Sequence, residues 1–204
     1  PKLPAPSKPQ RKAALVIATD LAGPYPRSKH GGYTTAVNFL IDNGDPEDEW
    51  EWITDFCTAK SDYPDRLAEL LGRRDFTGYT LYCDNEIVLN SGKVKGVAKR
   101  GGIVEIRNSC EYEPWQNGAV ERSWRVLNSR AREYTVRGWP EDKYDEASKY
   151  WPAEFAHATL VRDLTHVGKN GKTPYMRRTG LPGVITNLKV LFCLVYVRTP
   201  TALR

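Results

Sequence analysis

Short apolar runs separated by turn-forming segments dominate the first half of the chain, and this pattern predicts a β-sheet. The first run, AALVIATD, is rich in β-branched residues and ends on Asp20, which is typical of a buried strand. The loops that join the first three runs imply a hairpin, and the sheet is predicted to begin with a three-stranded meander. The runs that predict strands are 13–20, 33–42, 50–56, 78–84 and 102–106, with a closing apolar strand at 190–198.

Apolar residues at helical spacing predict the helices. The clearest stripe begins at Ala119 and steps by four and three residues, with Glu121 about 100° away from it at the head of a basic, polar face. The stripe consists of Val120, Trp124, Leu127, Ala131 and Tyr134. Helices are also predicted over 64–71 with a stop at Gly72, weakly over 86–98, and from Pro152 to Asp163.

The order of these elements predicts the fold class and the domain organisation. A meander followed by β-α-β crossovers predicts an α/β fold with a mixed five-stranded sheet flanked by helices. The length of 204 residues suits one core. We expect an extended, proline-rich linker over 1–12, the core over 13–166, and a C-terminal extension over 167–204 that packs on or follows the core.

Composition excludes several classes of protein and favours one kind of partner. No apolar run reaches the roughly 20 residues that span a bilayer, so we expect no membrane association. The four cysteines and three histidines are too dispersed for a zinc site, so buried free thiols are expected. The net charge of +5 suggests a polyanion such as nucleic acid.

Three carboxylates on separate elements are candidates for a metal site. Asp20 and Asp84 each end a predicted strand, and Glu121 starts the long predicted helix. Carboxylate oxygens on rigid elements are the ligands that Mg²⁺ prefers, and paired ions suit phosphoryl transfer. Each acid also has an ordinary interpretation, since strand-end aspartates often form turns or caps and a glutamate near a helix N-terminus is favoured by the helix dipole.

Three motifs resemble the catalytic core of retroviral-type integrases. Residues 112–127, YEPWQNGAVERSWRVL, are similar to the Pro-x-Gln-Asn-Gly-x-x-Glu-Arg signature, and Asp84-Asn85 to the second-aspartate motif. Residues 19–42 resemble the segment that holds the first aspartate, and Lys60 matches a lysine found after the third strand. The segments YWPAEFAHATLVRD, GKTPYMRRTGLPG and NLKVLFCLVYV resemble the copia-type LTR retrotransposon branch.

The resemblance implies a ribonuclease-H-like fold and DNA integration, meaning 3′-end processing of retroelement DNA and its transfer into target DNA. It implies that Asp20, Asp84 and Glu121 hold Mg²⁺ or Mn²⁺ and carry catalysis. The stretch from Gln116 through Asn117 to Gly118 would form a mobile, DNA-contacting loop. A homo-oligomer and a nuclear location are also implied.

DNA contacts are also predicted from charge. Residues 86–140 carry ten Lys or Arg against six acids, a basic surface that would offset the repulsion between phosphates and the carboxylates. Arg122 and Arg125 are the best candidates for phosphate contacts, and Lys60 joins them through the resemblance. An alternative for each arginine is an ordinary solvated helix face.

Two departures from the family pattern leave other functions open. The 36 residues between Asp84 and Glu121 are one more than usual, and Glu86 replaces the glycine that normally follows Asp-Asn. One alternative is a relic core that binds DNA without catalysing a reaction. The other is a ribonuclease H, which the Gln-Asn-Gly element disfavours.

Overall fold

A mixed five-stranded sheet forms the centre of the molecule. The computed structural model describes residues 15–45, 47–48, 50–84, 91–108, 114–185 and 191, with only the backbone of 114–117. The strands are β1 (Leu15–Ala22), β2 (Thr35–Asn43), β3 (Glu51–Cys57), β4 (Thr80–Cys83) and β5 (Glu105–Asn108), in the spatial order β3-β2-β1-β4-β5. Strand β2 is antiparallel to both neighbours, whereas β1, β4 and β5 are parallel. This confirms the predicted α/β fold with a mixed five-stranded sheet.

Helices cover both faces of the sheet. They are α1 (Tyr63–Arg73), α2 (Gly92–Arg100), α3 (Pro114–Gly138), α4 (Tyr144–Ala147), α5 (Trp151–Thr165) and α6 (Pro174–Thr179). Helices α1 and α2 pack on one face through a cluster that includes Ile17, Phe39 and Leu67, all nearly inaccessible to solvent. Helices α3 and α5 pack on the other face, where Phe155 and Leu127 are buried.

The predicted stripe of the long helix is confirmed by burial. Val120, Trp124, Leu127 and Ala131 are buried and Tyr134 is partly buried. The predicted polar face is exposed as expected: Glu121, Arg122, Arg125, Ser129 and Arg132.

The start of α3 corrects the predicted loop. Gln116, Asn117 and Gly118 belong to the first turns of the helix and not to a flexible segment before it. Proline is well suited to a first helical position, as at Pro114, and a glycine within a helix costs only about 1 kcal/mol, which the burial of the stripe offsets.

Other boundaries differ from prediction by a few residues. Strand β1 continues two residues past Asp20, because Leu21 and Ala22 still pair with β2. Helix α1 runs through Gly72, α2 begins at Gly92 after the Ser91 cap, and β5 begins three residues after the predicted start. Residues 86–90 and the predicted closing strand at 190–198, apart from Leu191, lie outside the described part of the chain.

A row of polar side chains ties α3 and α5 to the sheet. Asp20, Asn38 and Thr54 are register partners across β1, β2 and β3. The Asn38 amide donates to the Ser123 hydroxyl at 2.6 Å, and the Thr54 and Thr159 hydroxyls share a hydrogen bond of 2.8 Å. Asn38 and Ser123 are fully buried, so these bonds satisfy groups that would be costly to leave unpaired.

Helix α6 is held to the core by ion pairs. Arg178 donates to Glu51 of β3 and to Asp163 of α5, both at 2.7 Å, and Arg74 pairs with the other Glu51 oxygen at 2.7 Å. The Glu51 side chain is nearly buried, and such a carboxylate is stable only with its partners in place. Helix α6, in the predicted C-terminal extension, therefore packs on the core, while the boundary at 166 stays a prediction.

Two further expectations concern the cysteines and the membrane. Cys57 and Cys83 are buried free thiols, as expected, while Cys110 and Cys193 lie outside the described residues. Burial raises the pKa of the Cys57 thiol to about 12. Within the described ranges, no helix combines the length and the hydropathy needed to cross a bilayer.

The buried row predicts a cost for removing one hydroxyl. Ser123→Ala leaves the Asn38 amide without its acceptor and should destabilise the fold by about 1–3 kcal/mol. Ser129→Ala, on the exposed face of the same helix, is the matched control and should change stability by less than about 0.5 kcal/mol. Urea unfolding measures both, and equal effects would contradict the proposed role of the row.

Glu154 predicts a pH-dependent effect at the contact between α5 and α3. Burial raises the pKa of Glu154, although the Thr135 hydroxyl donates to the carboxylate at 2.5 Å and opposes the shift. A raised pKa in the folded state means that stability is lost as the pH rises through that pKa, since the buried group must ionise. Glu154→Gln removes this loss and should unfold at a higher temperature than the wild type at neutral pH.

The advantage of Glu154→Gln should vanish toward about pH 4, where the wild-type carboxyl is also protonated. Melting temperatures across a pH series test this, with Glu146→Gln, at an exposed position on α4, as the control. A difference that is constant with pH would reject the electrostatic explanation.

Candidate active site

Hydrogen bonds from β1 and from α3 contribute to the placement of Asp20. The backbone N–H of Leu21 donates to Oδ1 at 2.8 Å, and the indole Nε1–H of Trp124 donates to Oδ2 at 3.1 Å. The carboxylate is half-buried on the face of the sheet that α3 covers. Its orientation is therefore set by its own strand and by the helix opposite.

Asp84 lies level with Asp20. Strands β1 and β4 are parallel, with Thr19 paired with Cys83, so extending the register by one residue places Asp84 beside Asp20. Neighbouring strands are about 4.8 Å apart, which brings the two positions close together. The pKa of the Cys83 thiol is raised to about 11, mainly by burial and further by the charge of Asp84.

Glu121 lies on α3 but is not gathered into a cluster with the two aspartates. It follows the buried Val120, which packs against Ala18 and Leu40, and it precedes Trp124 by one turn. Its side chain is exposed. The described residues contain no group of three or more His, Cys, Asp or Glu side chains that could hold a metal ion.

The donor set suits a hard divalent cation in part. Asp20 and Asp84 offer carboxylate oxygens from adjacent rigid strands, which is the chemistry that Mg²⁺ requires. Glu121, the third predicted ligand, does not form a metal-binding group with these two aspartates in the described part of the chain. The triad remains a prediction. Asp20 and Asp84 lie at the same level of the sheet, and Glu121 lies one helical turn before Trp124, which binds Asp20.

The remaining predicted contacts are spread around the same helix and sheet edge. Lys60 begins a 3₁₀ turn after β3. Because β3 runs in the same direction as β1, Lys60 lies at the end of the sheet where the C-termini of these strands and Asp20 are found. Arg125 is one turn after Glu121, about 40° away on the helix surface. Arg122 is rotated toward α5 and lines a groove there.

The segment predicted as a DNA-contacting loop has a helical backbone. At Gly118, a Cβ atom would meet no neighbouring atom within 4 Å, so close packing does not require a glycine at this position. Gln116 and Asn117 are placed by their backbone at the start of α3, next to the turn that bears Glu121. Their DNA contacts remain a prediction.

Two aromatic residues near Asp20 were missed as site residues. The helical spacing of Trp124 predicts a core position, which the burial of its ring confirms. The spacing carries no information about the hydrogen bond that its indole N–H donates. Tyr25 stacks on Trp151 at 4.6 Å and points its hydroxyl at Asn128. Burial raises the pKa of Tyr25, and the charge of Asp20 adds to this increase. No periodic signal marks Tyr25, which lies in the Gly-Pro-Tyr-Pro break.

Comparison with solved structures defines the class of fold. The catalytic core domain of BIV integrase aligns with 80% of this chain and 93% of its own, with a TM-score of 0.54 and 16% identity. A chain of the simian T-cell lymphotropic virus intasome, solved in complex with the PP2A regulatory subunit B56 gamma, aligns with 98% of this chain and 64% of its own, with a TM-score of 0.57 and 13% identity. The chain therefore has the fold of retroviral integrase catalytic cores, which is ribonuclease-H-like.

Sequence comparison adds no relative to this result. No family model matches the chain, and no curated protein matches it.

The bond from Trp124 to Asp20 can be tested by a double-mutant cycle. Trp124→Phe removes the N–H donor but also changes packing, so the coupling with Asp20→Ala isolates the hydrogen bond. We expect a coupling energy of about 1.5–3 kcal/mol, the range for a hydrogen bond to a charged group. Urea unfolding of the four proteins measures it, and strictly additive effects would show that the bond contributes nothing.

Proposed function

We propose that this chain is the catalytic core of a retroelement integrase, a polynucleotidyl transferase that acts on DNA. The observation that carries the proposal is the level placement of Asp20, near the end of β1, and Asp84, directly after the parallel strand β4, in a fold of the integrase-core class. Glu121, one turn before the residue that binds Asp20, is the proposed third acid.

The proposed reactions are 3′-end processing and strand transfer. In the first, water attacks a phosphodiester near the end of the retroelement DNA and leaves a free 3′-hydroxyl. In the second, that hydroxyl attacks a phosphodiester of the target DNA, forms the new bond and displaces the target's own 3′-oxygen. Each step exchanges one oxygen for another at phosphorus, so one site suffices for both.

Bound Mg²⁺ or Mn²⁺ would supply charge stabilisation for the attacking and the leaving oxygen. Asp20 and Asp84 are the residues that would hold it, joined by Glu121. Trp124 fixes the direction of the Asp20 carboxylate, which limits the rotamers that the site must freeze on binding. In this proposal the three acids bind the metal ion, and the Trp124 indole is a positioning group for Asp20.

Binding of DNA is assigned to cations around the acids. Arg125 lies on the Glu121 side of α3, and Lys60 lies at the same sheet edge as Asp20. The local excess of positive charge over 86–140 predicts affinity that falls steeply with salt, because bound phosphates release counterions. Gln116, Asn117 and Gly118 complete the proposed contact set at the start of α3. The DNA contact of Arg122 stays a prediction from the sequence, because this side chain lines the groove between α3 and α5.

The finer assignments are proposals of the same kind. The copia-type branch is supported by the sequence motifs in α5, α6 and the C-terminal segment. DNA ends and target DNA are the proposed partners, in a homo-oligomer, with the nucleus as the place of action. These follow from the resemblance and from the function proposed above.

The relic alternative is favoured by one specific observation, which is that the described residues form no three-acid metal group. In a relic core the fold and a basic surface would persist without chemistry. Calorimetric titration with Mn²⁺ separates the two, because only the enzyme requires binding that depends on Asp20 and Asp84.

The catalytic prediction is tested with labelled DNA ends and Mg²⁺ or Mn²⁺. Asp84→Asn should reduce cutting and joining by at least about a hundredfold, the scale of losing one electrostatic contact to a transition state. Its urea midpoint should stay near that of the wild type. Glu146→Gln is the control and should retain activity.

Full activity of Asp84→Asn would reject the site. If the wild type is inactive as well, Mn²⁺ heats that are unchanged by Asp20→Asn and Asp84→Asn would assign the chain to the relic class.

A further inference from the structure

A groove lies between residues 119–134 of α3 and the C-terminal half of α5. Its volume is about 660 Å³, within the range of ligand sites in proteins. The floor is the sheet surface at Leu40 and Trp52 with Trp50 beside them, and Val126 and Val161 form the walls.

Four basic side chains line the groove. These residues are Arg122, Arg130, Arg162 and His166, and no carboxylate is among the lining residues. An apolar floor inside a cationic rim suits a ligand that carries an apolar anchor and negative charges.

Arg162 is fixed before any ligand arrives. Its guanidinium lies 3.9 Å from the centre of the Trp52 ring, and Nη1 donates to the Trp50 carbonyl at 2.9 Å. Stacking and hydrogen bonding restrict the side chain, so little conformational entropy is lost when a partner binds against it. This arginine therefore forms a rigid, positively charged wall.

Arg122 and Arg130 line the α3 side of the groove, where their guanidinium groups can pair with carboxylates of a partner. Arg130 pairs with Glu133 at 2.8 Å, but an exposed pair of this kind contributes only about 0–1 kcal/mol and can be replaced by another carboxylate. Arg122 is exposed and makes no ion pair with a residue in the described ranges. The two arginines are about two helical turns apart, so they can pair with two acidic side chains that have the same spacing on a helical partner.

We propose that this groove is a docking site for an acidic, amphipathic peptide segment of a partner protein, with a large apolar side chain against Trp50, Val126 and Val161 and carboxylates at Arg122 and Arg130. The groove admits a side chain or a helical turn between two helices, a common mode of peptide recognition. Duplex DNA is about 20 Å wide and is bound by surfaces that reach its grooves, so it fits this cleft poorly.

The test uses a short, blocked, fluorescein-labelled peptide with Leu and Phe spaced one helical turn apart and Glu on both sides of them. A second peptide replaces each Glu by Gln, and a labelled single-stranded oligonucleotide is the third probe. Anisotropy should show saturable binding of the Glu peptide, with at least tenfold weaker binding of the Gln peptide.

Matched variants locate the binding. Arg130→Gln should weaken the Glu peptide at least fivefold, whereas Arg132→Gln, two residues away on the exposed face, should leave it unchanged. Val161→Glu, which places a negative charge on the groove wall, should abolish binding. Urea midpoints verify that each variant is folded, and Arg130→Gln alone decides the result if Val161→Glu is not.

Three outcomes overturn the proposal. The first is no saturable binding of the Glu peptide up to about 1 mM, the weakest affinity that a specific site would show. The second is equal weakening by Arg130→Gln and Arg132→Gln, which would indicate attraction to net charge only. The third is displacement of the peptide by the oligonucleotide with binding lost in Trp52→Ala, which would make the groove a nucleic-acid site.

Discussion

The register of three strands is the constraint on which the site and its surroundings depend. Because side chains alternate between the faces of a sheet, pairing Asp20 with Asn38 and Asn38 with Thr54 directs all three toward α3 and α5. Each then finds a partner on a helix: Trp124, Ser123 and Thr159. A slip by one residue would turn the row into the opposite apolar cluster and leave the helix groups unpaired.

Burial makes this row specific as well as stabilising. Apolar contacts between α3 and the sheet would tolerate small shifts of the helix, since dispersion is not directional. A fully buried amide such as that of Asn38 tolerates few, because losing its acceptor costs more than a typical hydrogen bond contributes. The row therefore fixes the position of α3 along β1, and with it the distance between the turn of Glu121 and the level of Asp20.

Periodicity predicted the sheet and the buried stripe of α3 because both are governed by burial of alternate or helically spaced side chains. It could not predict where α3 begins: Gln116, Asn117 and Gly118 favour a loop locally, and their helical backbone depends on the packed helix that follows. It also could not reveal the second role of Trp124, since hydropathy describes the ring and not the direction of its N–H. The family resemblance predicted Asp20 and Asp84 as a pair of site residues. Their placement at the same level of the sheet follows only from the register of β1 and β4.

Helix α3 serves two surfaces, and the geometry of a helix links them. Glu121 and Arg122 are neighbours in sequence and lie about 100° apart around the helix, so Glu121 lies on the outer face of α3 and Arg122 lines the groove against α5. The helix is rigid between them, and Val120 anchors this turn on Ala18 and Leu40. Contact with a partner in the groove would therefore bear on the same turn that carries the proposed third acid, and the position of that turn decides whether the three carboxylates can share an ion.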